Sequence, residues 1–267
     1  MKPGNKVKFI RDTSIEGIEC CSVSNSRHVF PRHSHENLFA VSLMEEGGSY
    51  WDGRSKSASL LQPGELAIIH PGEMHSGEPA QKDSMTYKMI YLESSHLEKE
   101  GVLYQFTNII HGDSELREHF INLFHSLGDN REPLVKEISL TAFTGYLSSH
   151  YGFPHNKKMV LRKDCPAVDE TREYIGENLD RNLSLQEMAT LCGYSPYHFL
   201  RLFKASTGMT PHQYITHRRV ERAKELIAKG LSPAEIAAGT GFTDQSHFAN
   251  TFRKYTGATP RQYFLSK

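Results

Sequence analysis

The last third of the chain is one passage written twice. Leu183 to Tyr214 reads LSLQEMATLCGYSPYHFLRLFKASTGMTPHQY, and Leu231 to Tyr263 reads LSPAEIAAGTGFTDQSHFANTFRKYTGATPRQY, the same text with one inserted residue. A repeat of this length is one supersecondary unit used twice. Ser184/Ser232, Glu187/Glu235, Ala189/Ala237, Gly193/Gly241, His198/His247, Phe199/Phe248, Phe203/Phe252, Thr207-Gly208/Thr256-Gly257 and Pro211/Pro260 all coincide. Any fold that satisfies one copy must therefore satisfy both.

Each copy predicts two helices and a turn. Ser184 with Glu187, and Ser232 with Glu235, have the spacing of a capping box, in which each side chain satisfies an orphan backbone donor at a helix start. Pro233 suits the first helical position. Met188, Ala189 and Leu191 give the first helix an apolar face, and Gly193 or Gly241 supplies the left-handed residue that a tight helix stop prefers. Phe199, Leu202 and Phe203, matched by Phe248, Thr251 and Phe252, then repeat at helical spacing and predict a second helix with one buried stripe.

Helix, glycine turn, helix is the arrangement that places a second helix in the major groove of DNA, although a plain helical bundle shares it. Charge favours DNA. The chain is neutral overall, with 31 Lys/Arg and 31 Asp/Glu, but from Arg181 onward 12 basic residues meet 5 acidic ones. The tail carries the phosphate-attracting surface and the remainder is acidic. Positions facing away from the apolar stripes also suit base edges: Tyr197 and Arg201 in the first copy, and Gln245, Ser246, His247 and Asn250 in the second. A guanidinium bridges guanine O6 and N7, and Gln and Asn pair with adenine. Between the copies, Thr210-Pro211 starts a helix that runs to about Lys229. Its length of about 28 Å, at about 1.5 Å per residue, approaches the roughly 34 Å turn of DNA and would hold two reading heads on one face.

With these residues in place, the stretch from about residue 167 to 267 resembles the C-terminal domain of the AraC family of bacterial transcription regulators. The resemblance is carried by Ile236-Ala237, Gly241-Phe242, Ser246, Phe248, Phe252-Arg253, Gly257, Thr259-Pro260 and Tyr263. It implies two helix-turn-helix units, at about 183–208 and 231–257, joined by a helix at about 211–229. Carried across residue by residue, it implies base-facing roles for Tyr197, Leu200 and Arg201 in the first unit, and for Gln245, Ser246, His247, Ala249 and Asn250 in the second. Leu200 and Ala249 offer contact to thymine methyls only. Lys204, Arg253 and Lys254 read as phosphate contacts, which set affinity without reading sequence. Phe264 stands where the family often has Arg, which removes one phosphate contact.

The first 160 residues are a different kind of chain. Short apolar runs, Leu38 to Met44, Leu66 to Ile69 and Met85 to Leu92, are separated by Asp52-Gly53, Pro63-Gly64 and Pro71-Gly72. This predicts a β-sandwich or barrel, with a hairpin at Asp52-Gly53. His33-Ser34-His35 and the later Pro71-Gly72-Glu73-Met74-His75 have the order of the two cupin motifs, which the segment resembles. Strand alternation puts His33 and His35 on one face, where His75 can join them. Metal-binding cupins also place a Glu several residues after the paired His. Here Phe39 and Ala40 hold those positions, with only Glu36 nearby, so no metal and no cofactor is assigned. Three imidazoles remain able to hold zinc or iron. The expected role is a ligand pocket in which His33, His35, Trp51 and His75 contact a small metabolite, as AraC-type sensor domains do.

Leu116, Phe120, Leu123, Phe124 and Leu127 follow helical spacing, and Leu134, Ile138 and Leu147 do so more loosely after Pro133. These two helices either form a dimer contact, as in many relatives, or cover the barrel. The expected organisation is α+β: a cupin-like barrel with helices at 1–152, a linker at 153–166, and an all-α double helix-turn-helix at 167–267. No apolar run is long enough to span a membrane, and MKPGNKVKFIRD does not read as a signal peptide, so a cytosolic protein with no membrane partner is expected. Of four Cys, Cys20-Cys21 are adjacent, Cys165 lies in the linker stretch, Cys192 reads as core, and no metal-ligand spacing emerges.

The reading is a ligand-responsive regulator, not an enzyme, whose partners are double-stranded DNA, a small-molecule effector, RNA polymerase and a second copy of itself. Two alternatives stand beside it. One is a metal-dependent cupin enzyme tethered to DNA, and the other a constitutive dimeric DNA binder with no ligand.

Overall fold

The computed structural model describes residues 6–12, 14–53, 58–80, 84–99, 102–129, 131–154 and 166–265. The chain divides into two compact units, one holding residues 1–157 with 265–267, and the other residues 158–264. No helix among the described residues is long and apolar enough to cross a membrane.

The first unit is built on two main sheets. The larger runs β1 (Lys6–Arg11), β2 (Ile18–Ser26), β9 (Met85–Glu93), β4 (Leu38–Glu46), β7 (Leu66–Ile69) and β12 (Ile109–Ile110), in that spatial order. The smaller runs β3 (Phe30–His33), β8 (His75–Pro79), β5 (Ser49–Asp52) and β6 (Ser59–Leu61). The three apolar runs legible in the sequence are β4, β7 and β9, the centre of the larger sheet. β5 and β6 do pair as an antiparallel hairpin, with Ser49 opposite Leu61 and Trp51 opposite Ser59, but this register corrects the expected tight turn at Asp52-Gly53: Asp52 still belongs to β5, and the connection runs on to residue 58. A third, short sheet joins β10 (Glu98–Lys99), β11 (Val102–Gln105) and β13 (Phe153–Pro154). Phe153 and Pro154, expected to open the linker, are therefore in a strand, while 155–165, including Cys165, lie outside the described residues.

The larger sheet is buried on both faces, which is why its strands are nearly continuous in apolar residues. One face carries Phe39, Val41, Leu43, Leu66, Ile68, Ile90 and Leu92 against α1 (Ser114–Gly128) and α2 (Pro133–Tyr151). Leu116, Phe120, Leu123, Phe124 and Leu127 of α1 are all buried there, as their spacing predicts. α2 corrects the expectation. Leu134 and Ile138 are 65% and 59% exposed; Leu147 is buried as expected, and Lys136, Leu140 and Phe143 complete the buried stripe. A lysine belongs to this stripe because its Nζ lies 2.5 Å from Asp12 Oδ2, with both side chains 8% exposed. Asp113 joins the two helices: it caps α1 through the Leu116 N–H at 2.8 Å and accepts the Tyr151 hydroxyl at 2.6 Å. That hydrogen bond pushes the Tyr151 phenol up to about 12.

The second unit is all helical: α3 (Pro166–Glu177), α4 (Leu185–Leu191), α5 (Pro196–Thr207), α6 (Pro211–Ala228), α7 (Pro233–Gly239), α8 (Gln245–Thr256) and α9 (Pro260–Leu265). The textual repeat becomes a structural one. Both capping boxes form, at Ser184/Glu187 and Ser232/Glu235. Gly193 and Gly241 both have φ +69°, and Gly208 and Gly257 end α5 and α8 in the left-handed conformation. Phe199 meets Phe203 and Phe248 meets Phe252, each pair with ring centroids 5.6 Å apart. Phe203 then meets Tyr214 edge-on at 5.5 Å, and Phe252 meets Tyr263 at 5.3 Å. Thr207 and Thr256 close the matching helix ends, each bonding the carbonyls four residues back and two ahead.

α6 is the helix expected between the copies, with Thr210 as its cap and Gln213 completing a third capping box. It packs against α5 as well as α7 and α8. Arg219 fixes it to the α3–α4 connection by donating to the Leu179 and Arg181 carbonyls at 2.9 and 2.8 Å. Two details depart from expectation. Leu191 is 41% exposed, so α4 buries only Met188 and Ala189. Cys192 is half-buried: it ends α4 with its thiol on the Ala167 carbonyl at 3.1 Å and beside Thr171 Oγ1 at 3.0 Å.

Candidate functional site

Two surfaces carry chemistry, one in each unit. In the helical unit, burying Phe199, Phe203 and Thr207 turns the opposite face of α5 outward, where Tyr197, His198, Arg201 and Lys204 are exposed. In α8, burying Phe248 and Phe252 exposes Gln245, Ser246, His247, Asn250, Arg253 and Lys254. Leu200 and Ala249 sit half-buried at the edges of these faces. All the residues singled out for DNA thus lie on the two second helices, away from the cores.

Local contacts hold part of this surface in place. The Arg201 guanidinium lies 5.8 Å from the centre of the Tyr197 ring, a cation–π distance that limits its rotamers. The His247 ring stands edge-on to Phe242, with Nδ1 3.0 Å from Thr243 Oγ1. Asp244 caps α8 by accepting the His247 N–H at 2.8 Å, and this hydrogen bond holds its carboxyl below the usual range. His198, which matches His247 in the repeat, was given no DNA-facing role from the sequence but lies on the same exposed face. It is exposed at the start of α5, with its ring 4.9 Å from Tyr194.

The second site lies between the main sheets of the first unit. Register aligns Tyr91, Ala40 and Ile69 in one row, and Met89, Ser42, Ala67 and Ile109 in the next, on the face of the larger sheet turned from α1 and α2. Ala40 and Ile69 pack with Trp51 of the smaller sheet, and Met89, Tyr91 and Ile109 pack around them. Trp51 is opposite Gly77, two residues after His75 on β8, and His75 is opposite His33. By strand alternation these side chains share one face. The Trp51 indole N–H is buried and has no hydrogen-bond partner among the described residues.

The three histidines converge, although β3 ends at His33 and His35 lies in the connection beyond it, so it is not strand alternation that places His35. Ring centroids are 4.1 Å apart for His33–His75 and 5.1 Å for His33–His35 and His35–His75. One nitrogen from each lies within 4.8 Å of the others. His35 and His75 are buried, and His33 is half-exposed. His33 Nδ1 lies 2.8 Å from the Pro31 carbonyl and His75 Nδ1 3.1 Å from the Glu73 carbonyl. The Tyr91 ring lies 5.2 Å from His35. His33, His35, Trp51 and His75 are thus grouped on the inner side of the smaller sheet, with Tyr91 beside His35, and Tyr91 and Met89 pack on the Ala40–Trp51–Ile69 cluster.

Behind this cluster is a buried polar clip that the sequence reading did not find. Glu73, 4% exposed, accepts the His70 backbone N–H at 3.1 Å, the His70 Nδ1–H at 2.9 Å and the Asn108 amide at 2.9 and 3.1 Å. His70 Nε2 accepts the Phe106 N–H at 3.0 Å, which fixes the proton on Nδ1. The Gly72 N–H adds a 2.7 Å bond to the His35 carbonyl. These hydrogen bonds tie the turn that delivers His75 to the segments that carry His35 and Asn108.

Comparison with known proteins covers both units. Residues 17–143 match the profile of an AraC-like ligand binding domain, and residues 188–266 that of a helix-turn-helix domain. A Bacillus subtilis protein named as the HTH-type transcriptional regulator YbfI, itself uncharacterised, is 28% identical over 228 residues, 82% of this chain and 81% of its own length. The XylDLEGF operon transcriptional activator of Pseudomonas putida is 26% identical over 232 residues, 80% of this chain and 70% of its own. Among solved structures, ToxT from Vibrio cholerae O395 matches with a TM-score of 0.56 at 12% identity, covering 99% of this chain and 98% of that one. This last likeness concerns the fold alone.

Proposed function

The chain belongs to the AraC family of transcription regulators and is a ligand-responsive DNA-binding regulator, and from that premise we propose how its residues divide the work. α5 and α8 enter successive major-groove segments of double-stranded DNA. Tyr197, Leu200 and Arg201 read bases in one segment, and Gln245, Ser246, His247, Ala249 and Asn250 in the other. Lys204, Arg253 and Lys254 hold phosphates. α6, with 18 residues and about 27 Å of length, sets the spacing of the two heads. The observation that carries this reading is the equivalence of the two copies: matched caps, matched aromatic pairs, and a polar row on each second helix.

The space between the sheets takes the small-molecule effector. Tyr91, Met89, Ile69 and Ala40 supply apolar area, while His33, His35, His75 and the unpartnered Trp51 N–H supply polar contacts. A few polar groups on a mostly apolar wall are the usual composition of a small-molecule pocket. Effector binding alters transcription only if it favours one state of the chain over another. The working unit is a homodimer in the cytoplasm that contacts RNA polymerase. Transcription in vitro from a template bearing a selected site tests this reading. The wild-type chain should change transcript yield, and the Arg201→Ala/Asn250→Ala chain should not; equal yields from both would refute it.

A further inference from the structure

We propose that His33, His35 and His75 bind one divalent transition-metal ion, with a coordination position left open to the gap between the sheets. The proposal deepens the reading of this gap as the effector site. It rests on that reading only for its consequence, since metal uptake is measured without DNA.

The first support is convergence. Three ligand nitrogens from two segments of the chain, His33 with His35 and the later His75, lie within 4.8 Å of one another. Zn–N bonds of about 2.0–2.1 Å require tetrahedral ligand atoms about 3.3 Å apart, so the nitrogens need to draw in by at most about 1.5 Å to hold an ion. Two of the rings are at least nine-tenths buried, while half-exposed His33 leaves a way in.

The second support is the tautomers. A carbonyl only accepts, so the bonds to Pro31 O and Glu73 O put the proton of His33 and of His75 on Nδ1. The lone pair of each neutral ring is then on Nε2. Metal-ligating histidines are held in this way, with the non-ligating N–H donated to a carbonyl or carboxylate that fixes the ring.

The third is rigidity around the cluster. His33 and His75 face each other in register, the Gly72 N–H ties to the His35 carbonyl, and the Glu73 clip with His70 and Asn108 fixes the intervening turn. These are the outer contacts a metal site needs to hold its geometry before the ion arrives.

The donor set defines the ion. Three imidazoles without thiolate or carboxylate suit zinc, iron, cobalt, nickel or copper, and do not suit calcium or magnesium, which take oxygen ligands. Neutral ligands also leave the ion's double charge uncompensated. The open position therefore favours an anionic oxygen donor, and the effector class that follows is a small carboxylate, with the Trp51 N–H on the same face as a further donor. The carboxylate that Phe39 and Ala40 fail to supply is then brought by the ligand.

The test uses the full-length chain, stripped with chelator and dialysed. It is titrated with Zn²⁺ by calorimetry and with Co²⁺ by visible absorption. One ion per chain is expected, with affinity reduced at least tenfold in His75→Gln and unchanged in His111→Gln, a histidine outside the cluster on Glu65. His33→Cys keeps the proposal testable if the buried variant fails to fold: at this half-exposed position the cobalt complex should gain a thiolate charge-transfer band. Substoichiometric uptake, or full uptake in His75→Gln with no new band in His33→Cys, would overturn the proposal. A chain that binds the ion but no DNA would instead contradict the regulatory reading and leave the metal site standing.

Discussion

Replacing Arg201 by Ala separates base reading from general attraction to DNA. Arg201 is exposed, and its guanidinium lies against the Tyr197 ring at 5.8 Å, so its removal costs the fold no more than an exposed cation–π contact of about 0.5–1 kcal/mol. On the preferred site the loss is that of a bidentate guanine contact, about 1–3 kcal/mol. At about 1.4 kcal/mol per tenfold, this is a five- to 150-fold weaker Kd. Tyr197→Ala should lose less, because the guanidinium survives without the ring that orients it. Lys204→Ala should weaken preferred and scrambled duplexes alike and flatten the salt dependence by about one unit of slope. The assay is fluorescence anisotropy with both duplexes at several salt concentrations, with a melting curve for each variant. If Arg201→Ala weakened the scrambled duplex as much as the preferred one, Arg201 would be a phosphate contact and the assignment of α5 would fail.

Three further outcomes are expected. Asn250→Ala should relax base preference in the patch read by α8 and leave the α5 patch unchanged, as read by site selection with the variant. Gly241→Ala should destabilise more than Gly193→Ala in denaturant melts: both residues have φ +69°, but a Cβ at Gly241 meets the Leu179 carbonyl and Arg219, whereas Gly193 faces open space. The shared left-handed penalty is about 1–2 kcal/mol, and overpacking adds about 1–3 kcal/mol at Gly241 alone. Lys136→Met should cost about 3–5 kcal/mol, because Asp12 is left buried without its cation, and Asp12→Asn/Lys136→Met should recover part of it. Burial pushes the Asp12 carboxyl up, but hydrogen bonds from Lys136 and Ser14 outweigh it and leave it lower than in the unfolded chain. Its stabilising contribution is therefore complete above the unfolded value of about 3.9 and is lost as pH falls through the folded value. Acid melts of wild type and the double variant should converge over that window.

The helical unit was legible because its determinants are local. A cap three residues from its partner, a glycine at a left-handed turn and a phenylalanine pair four apart can each be read without knowing what lies elsewhere. The first unit yielded less, because its determinants join distant residues. Lys136 enters the buried stripe of α2 through Asp12, 124 residues away, so the spacing of Leu134 and Ile138 pointed to the wrong face. His70 and Glu73 carry a readable i,i+3 signal in HPGEMH, but Asn108 and Phe106 complete the clip from a later segment. The histidine convergence was readable from motif order, while alternation did not apply to His35, which follows the end of β3. Tyr91 and Met89 were not assigned to the face that meets the smaller sheet, because an apolar run shows burial but not which face of the sheet each residue occupies until register is known.

Selection of sites from a random duplex pool by the full-length chain, at physiological salt where non-specific attraction is reduced, tests the central claim most directly. Two conserved patches about one helical turn apart are predicted, one lost with Arg201→Ala and the other with Asn250→Ala. Recovery of a single patch sensitive to both variants, or of unenriched sequence by a chain that still binds duplex, would contradict two separate reading heads.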